Sequence, residues 1–225
     1  MKSLTLIASS LLLCSCADMV VTKTYVPGPG RTVAAVDAKD FGSEGVRFET
    51  CGVGATNPQA IYIRPFCIDN AIIRGDETVS EGEVPIRRAL IPVEFAQDLK
   101  EELSKLAPTR VLTTDEVPRL GWLVEGEFQL VDGGDPDARF FLTPTEEGRS
   151  YLALHVKVSD VEKHRVLYEF DMAGGSHHQG RWGTVRASGL GKATPFDLRN
   201  AAERVLLVLS PDPFKYGARA SVTLR

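Results

Sequence analysis

The sequence predicts an α+β domain in which two helices pack on one face of a mostly antiparallel or mixed sheet. Two observations predict this fold. Several segments carry apolar residues at every second position, and two other segments carry them at every third or fourth position. The order along the chain is strand, helix, several strands and helix, which is typical of a two-layer α+β domain. The composition, 43% hydrophobic and 25% charged, is sufficient for one globular core.

The first strand pattern, "AIYIRPFCI" at residues 60–68, is rich in β-branched and aromatic residues, and its proline favours an edge or a strand end. The acidic stretch at residues 76–85 is predicted to be a loop. A first helix follows from Pro92, because apolar residues recur every three to four positions from there to Leu106. Proline is acceptable in the first turn of a helix, so Pro92 marks the predicted start.

Four strand patterns follow the first helix, and the first of them, "TRVLTT" at residues 109–114, is short. The alternation in residues 121–132 places five residues on one predicted face: Trp122, Val124, Gly126, Phe128 and Leu130. Residues 150–161 and 165–172 are strand-like too, and the polar turn between them predicts a hairpin. A second helix is predicted to begin at a cap around residues 194–197 and to end before Pro211.

The N-terminus resembles an export signal. One positive residue, Lys2, precedes an apolar run at residues 4–13 that is too short to span a bilayer. The run leads into Leu13-Cys14-Ser15-Cys16, which resembles the bacterial lipobox. In that family of signals the peptidase cuts before the last cysteine, which becomes the lipidated N-terminus. The resemblance implies loss of residues 1–15 and an N-acyl diacylglyceryl group, with palmitate among its chains, on Cys16.

Two or more acyl chains hold a protein stably at a membrane surface, so Cys16 is predicted to be a lipid anchor. Ala17, rather than aspartate, follows it, which by analogy with enteric lipoproteins favours the outer membrane, facing the periplasm. An inner-membrane lipoprotein and a secreted protein cut elsewhere are the alternatives. The predicted organisation is a signal peptide at 1–15, a flexible linker with a Pro-Gly-Pro-Gly run at 16–45, and one α+β domain at 46–225.

A resemblance to a known family extends over roughly residues 59–209. Its motifs are Ile61-x-Ile63-x-Pro65-Phe66, "VEGEFQLVDGG", and "YLALHVKVSD" followed by "RVLYEF". They resemble a group of uncharacterised bacterial lipoproteins, the domain-of-unknown-function 4410 family, whose architecture is similar to the curli-secretion lipoprotein and the TolB N-terminal domain. The chain departs from this family at residues 140–150, where a glycine-rich stretch is expected. No catalytic residue is established for the family, so the resemblance implies none here.

Two cysteines remain in the mature domain, Cys51 and Cys67. In an oxidising periplasm such a pair is a candidate disulfide. A bond closing a loop of about 16 residues contributes on the order of 3 kcal/mol in the chain-entropy model. Two free thiols are the alternative, since nothing in the sequence fixes their approach.

Two carboxylates, Glu125 and Glu127, straddle a glycine on one predicted strand. Their side chains point to one face and lie about 6.6 Å apart along it. That separation lies within the range of inverting glycosidases, but there the acid and the base flank the substrate from opposite sides. A solvated sheet face is the simpler interpretation.

Other polar clusters carry weaker signals. His177 and His178 are adjacent and His155 lies on the polar face of its strand, but no further ligand stands at metal-binding spacing. The acidic run at 132–137 lacks the EF-hand pattern and is interpreted as a turn. Residues 188–197 lack the full phosphate-loop pattern, which leaves only a weak anion contact. The sequence therefore predicts no metal and no cofactor, and its scattered basic residues predict no nucleic-acid partner.

These observations favour a non-enzymatic, membrane-anchored binding or assembly module of the cell envelope, for example a subunit of an export or envelope-maintenance complex. Its expected partner is another envelope protein or a second copy of the chain. The competing hypothesis is an envelope hydrolase that uses Glu125 and Glu127. Opposed carboxylates in a cleft would favour the hydrolase, whereas an exposed apolar surface or an unpaired sheet edge would favour the binding module.

Overall fold

The computed structural model confirms the α+β class. It describes residues 19–28, 31–33, 48–50, 58–74, 83–113, 115–134, 150–175, 193–211 and 215. Within them the strands are β1 (Val20–Pro27), β2 (Arg31–Val33), β3 (Phe48–Thr50), β4 (Ile61–Ile63), β5 (Ile72–Arg74), β6 (Thr109–Val111), β7 (Trp122–Asp132), β8 (Tyr151–Asp160) and β9 (Arg165–Gly174). The helices are α1 (Glu83–Leu103) and α2 (Ala193–Leu209).

Seven of these strands form one mixed sheet in the order β1-β9-β8-β7-β4-β6, with β5 also paired to β7. In the part β1-β9-β8-β7 of this order, each strand is antiparallel to its neighbour. The antiparallel pair of β8 and β9 confirms the predicted hairpin. The short strands β4, β5 and β6 pair in parallel. Both helices lie on one face: α1 contacts β4 and β6, α2 contacts β8 and β9, and the helices contact each other. The opposite face of the sheet, free of both helices, is called the open face below.

Strand β1 corrects part of the predicted linker at residues 16–45. It pairs with β9 from Val20 opposite Ala173 to Pro27 opposite Tyr168, so residues 20–27 belong to the folded domain. Met19, directly before the strand, is buried in the core. The Pro-Gly-Pro-Gly run does end the strand. Gly28 has a φ of +91°, and a Cβ there would collide with the Tyr168 ring.

Helix α1 begins at Glu83, nine residues before the predicted start, so Pro92 lies in its interior. Proline in a helix interior removes one backbone hydrogen bond, which is why the sequence pattern alone favoured a start at Pro92. The earlier turns are held from outside the helix. The guanidinium of Arg88 donates to the carbonyl oxygens of residues 68, 69 and 71, at 2.6, 2.9 and 3.4 Å. Helix α2 begins at Ala193, beside the predicted cap.

The predicted apolar face of β7 is correct for its first half and wrong at Leu130. The register with β8 shifts between Phe128 and Leu130, which leaves Gln129 as an extra residue. Such a bulge reverses the inward and outward alternation beyond it. Val131 is therefore buried in place of Leu130, which is only half-buried.

An aromatic cluster fixes α1 to the sheet. The rings of Phe66, Phe95 and Phe128 meet edge to face, with centroids 5.0 to 6.1 Å apart. Phe66 follows β4, Phe95 lies on α1 and Phe128 lies on β7. A Cβ at Gly126 would overlap the ring of Phe66, so the glycine between the two glutamates of β7 is required for this packing.

The seam between the two helices carries a partly desolvated carboxyl group, that of Asp98 on α1. Burial raises its pKa from 3.8 to about 6, Arg199 of α2 opposes the rise, and Glu101, Glu94 and Glu102 add to it. Arg199 is instead directed to Glu101, with 3.1 Å between Nη2 and Oε1. Above pH 6 the ionised Asp98 is thus held in a site that favours its neutral form.

Replacing Asp98 with asparagine should stabilise the fold at pH 7.5 and have little effect at pH 4. Because the folded-state pKa of Asp98 is raised, the folded protein binds more protons between pH 4 and 6, and stability falls as pH rises through that window. The side chain is partly exposed, so we expect a gain of about 1 kcal/mol at pH 7.5. Urea unfolding at both pH values measures it.

The matched control is Asp115→Asn, at an exposed position outside the helices. It should change the free energy of unfolding by less than about 0.5 kcal/mol at either pH. A gain for Asp98→Asn that is equal at pH 4 and pH 7.5 would contradict the assignment to the Asp98 carboxyl group.

Candidate functional site: a charged network on the open face

The polar positions of the central strands lie together on the open face. Along β8, four apolar residues are buried toward the helices: Leu152, Leu154, Val156 and Val158. The alternating positions, including His155 and Lys157, are half-buried on the other face. Because side chains of paired residues point to the same face, the register carries this polar row onto β7 and β9.

Glu125 on β7 is held by two cations. Its Oε2 accepts from Nη1 of Arg64 at 2.6 Å, and its Oε1 lies 3.7 Å from Nζ of Lys157. Lys157 is its register partner on β8, and Arg64 directly follows β4. Both carboxylate oxygens are therefore engaged, and the ion pairs connect three neighbouring chain segments across the face.

His155 on β8 lies at the centre of the network. Its Nδ1 donates to Oδ1 of Asp171 at 2.7 Å, and its Nε2 lies 3.4 Å from Oε1 of Glu169. Both acids are on β9, and Glu127 of β7 is the register partner on the other side. A protonated imidazole here bridges two carboxylates, and a neutral one retains the Asp171 hydrogen bond.

Strand β1 closes the network through Tyr25. The hydroxyl of Tyr25 donates to Oδ2 of Asp171 at 2.8 Å, so both oxygens of Asp171 are engaged. The rings of Tyr25 and His155 meet edge to face at 5.7 Å, and Nζ of Lys23 lies 4.4 Å from the Tyr25 ring centroid. Tyr25 falls at a register irregularity of β1, which frees it from a direct partner on β9. The bulge therefore directs this side chain to Asp171.

Cys67 extends the same row beyond β7. It forms an isolated parallel bridge with Glu127, and its exposed Sγ lies 3.8 Å from Oδ2 of Asp69. The row thus runs from Cys67, which lies between β4 and β5, through Glu127 of β7 and His155 of β8 to Asp171 of β9. Cys67 and His155 are two strands apart, about 10 Å, which exceeds the reach between a nucleophile and its base.

The structure brings together only some of the residues that the sequence predicted. Glu125 and Glu127 share the open face as predicted, but they are neighbours on one strand and are not opposed across a cleft. Asp132 accepts from the backbone N–H of Gly134 at 2.9 Å, which agrees with the predicted turn. Five candidate residues lie outside the described part of the chain: Cys14, Cys16, Cys51, His177 and His178. The lipidation of Cys16 and the disulfide between Cys51 and Cys67 therefore stay predictions.

The pairing of His155, Asp171 and Tyr25 was not predicted from the sequence. His155 and Asp171 are 16 residues apart, and Tyr25 is 146 residues from Asp171. The register at the turn, with Asp160 opposite Arg165, would place His155 opposite Phe170, and only the register shift between Val158 and Ser159 brings His155 opposite Asp171. No sequence signal marks this bulge, and none points to Tyr25.

Within the described ranges, no cluster of three or more histidine, cysteine or acidic residues has the geometry of a metal site. In the same part of the chain, neither helix is long and apolar enough to cross a membrane. The fold and the site together define an α+β domain whose mixed sheet carries a network of opposite charges on its open face.

No protein family and no curated protein matches the chain. Among solved structures, it resembles the PelC dodecamer from Paraburkholderia phytofirmans, with 12% identity over 70% of this chain and 91% of that one and a TM-score of 0.37. It also resembles protein XCC0632 from Xanthomonas campestris, of family DUF330, with 12% identity over 69% and 88% and a TM-score of 0.37. The hypothetical protein CT253 from Chlamydia trachomatis gives 12% identity over 68% and 98% and a TM-score of 0.39.

Similarities at these identities and TM-scores carry no argument about function. Family DUF330 is also different from the domain-of-unknown-function 4410 family that the sequence resembles. Membership of the latter family stays a prediction.

The open-face network predicts a measurable coupling between Tyr25 and Asp171. In a double-mutant cycle with Tyr25→Phe and Asp171→Ala, we expect a coupling energy of about 1 kcal/mol, as for a hydrogen bond to a charged group at a partly exposed site. Urea unfolding of the four proteins gives this value. The control cycle pairs Tyr25→Phe with Glu125→Ala, which should be additive within about 0.5 kcal/mol. Additivity in both cycles would mean that the hydrogen bond between β1 and β9 does not contribute to stability.

Proposed function

We propose that the chain is an envelope lipoprotein, anchored through Cys16 in the outer membrane and facing the periplasm, whose domain is a binding or assembly module without enzymatic activity. The lipobox-like segment Leu13-Cys14-Ser15-Cys16 carries this proposal. The resemblance to the domain-of-unknown-function 4410 lipoproteins supports it. A subunit of an export or envelope-maintenance complex is the role that we favour.

The state of the open-face carboxylates supports a non-enzymatic role. Glu125 is engaged by Arg64 and Lys157, and Asp171 by His155 and Tyr25. Both oxygens of each of these two carboxylates therefore have partners within the protein. The alternative hydrolase needs both Glu125 and Glu127, and the pairing of Glu125 with Arg64 and Lys157 weighs against it.

An exposed apolar stripe on α1 supports a binding role. Ile86, Leu90 and Val93 are 59%, 43% and 54% exposed, and their spacing of four and three residues places them on one side of the helix. The buried side of the same helix is formed by other residues: Ile91, Phe95, Ala96, Leu99 and Leu103. Large apolar side chains grouped outside the core are typical of protein contact surfaces. We therefore place the contact with the partner at this stripe.

The anchor is tested by replacing each cysteine of the lipobox-like segment separately. Cys16→Ala should abolish incorporation of labelled palmitate and release the protein from sedimented membranes. Cys14→Ala should keep both properties, because Cys14 occupies the variable position of the motif and is removed with the signal. Palmitate labelling that persists in Cys16→Ala would refute the anchor, and so would equal loss in both variants.

The partner surface is tested by photocrosslinking in native envelopes. A benzophenone amino acid in place of Leu90 should form a crosslinked species, and Leu90 was chosen because it lies in the middle of the exposed stripe. The same photoprobe at Glu162, in the exposed turn between β8 and β9, is the control. Mass spectrometry distinguishes a second copy of the chain from another envelope protein. Equal yields at both positions, or none at position 90, would contradict a partner surface on α1.

A further inference from the structure

We infer that the end of the main sheet at which β1 begins lies directly against the lipid headgroups of the membrane. This inference rests on the proposed anchor at Cys16 and adds an orientation to it. The sequence alone favoured a linker that lifts the domain away from the bilayer. The structure replaces residues 20–27 of that linker with strand β1, which shortens the distance between anchor and domain.

The covalent distance is the first argument. Met19 is 1% exposed and belongs to the hydrophobic core, so the chain is fixed to the domain from this residue onward. Only three peptide units separate Cys16 from Met19. A fully extended chain covers about 11 Å in three residues, and one headgroup layer is about 5–8 Å thick. An acylated Cys16 therefore keeps the start of β1 within about 11 Å of the bilayer surface.

Strand register identifies which other parts of the sheet lie at this end. Val20 pairs with Ala173, and Gly174 next to it pairs with Leu152. Asp132 pairs with Tyr151 on one side and with Arg74 on the other. The starts of β1 and β8 and the ends of β9, β7 and β5 thus form one side of the domain, which is called the anchor end below.

A tether of about 11 Å, the limit set by three residues, is also long enough for the domain to contact the bilayer along the edge of β1. In that orientation the outer backbone groups of β1, whose pairing in the described structure is with β9 alone, would lose water. A backbone N–H or C=O group that loses water without gaining another partner costs about 1–3 kcal/mol. Lys23 on the same strand is exposed and would be desolvated too. Contact through the strand ends avoids both costs.

Energy transfer from the protein to the bilayer tests the orientation. The lipidated full chain is reconstituted into vesicles of phosphatidylethanolamine and phosphatidylglycerol that contain an acceptor dye on a headgroup. A donor dye is attached through a ketone amino acid, which leaves the cysteines untouched, in place of Arg74 at the anchor end or Lys163 at the opposite end. The two positions differ by about 30 Å along the strands, so donor quenching at 74 should exceed that at 163 by about twofold or more.

A linker insertion is the matched control. Ten glycine and serine residues inserted between Ala17 and Asp18 should abolish the difference between the two positions and leave acylation unchanged. If circular dichroism shows that the label at position 74 disturbs folding, the donor dye is attached in place of Tyr151, at the same end of the sheet.

The possible results separate the orientation from the anchor. Vesicle flotation and the mass of the N-terminal peptide report acylation independently of energy transfer. Acylated, floating protein with equal quenching at both positions, or with stronger quenching at 163, overturns the orientation and leaves the anchor intact. Protein that neither floats nor carries acyl chains overturns the proposed anchor, and the orientation is refuted with it.

Discussion

The pairing of β1 with β9 is the interaction on which the rest of the structure depends. It buries Met19 and Val21, carries Tyr25 to Asp171, and begins at Val20, close behind Cys16 in the sequence. Two register irregularities interrupt the ladder, and exposed Lys23 lies on the strand. Bulges and charged residues are common protections of an edge strand against unwanted pairing. The same eight residues therefore complete the sheet, protect its edge and fix the distance to the proposed anchor.

The open-face network follows from strand register more than from any local motif. Once β7, β8 and β9 pair as they do, Glu125 must face Lys157, and His155 must lie between Glu127 and Asp171. Opposite charges in such positions stabilise neighbouring strands modestly, by roughly 0.2–1 kcal/mol per pair. They also engage both oxygens of Glu125 and of Asp171, which supports the proposal of a binding module over that of a hydrolase.

The sequence predicted the elements with long, regular patterns and missed those set by distant partners. The alternation in β8 and the apolar spacing of α2 are visible locally, so both were predicted close to their observed ranges. Strand β1 consists mostly of β-favouring valine, threonine and tyrosine, but the adjacent Pro-Gly-Pro-Gly run favoured a linker, and Asp171 of its partner strand lies 146 residues beyond Tyr25. The first half of α1 was missed because Pro92 imitates a start. The partners of His155 depend on register, which periodicity alone does not supply.

Hydrogen exchange of the β1 amides tests most directly whether residues 20–27 belong to the domain. In the full chain, the amides of these residues that pair with β9 should exchange at least about 100-fold more slowly than in an unstructured peptide, because exchange then requires local opening of the sheet. Amides of residues 20–27 that all exchange at the rate of an unstructured peptide would contradict the account. The predicted linker would then be correct, and the short distance between anchor and domain would be wrong.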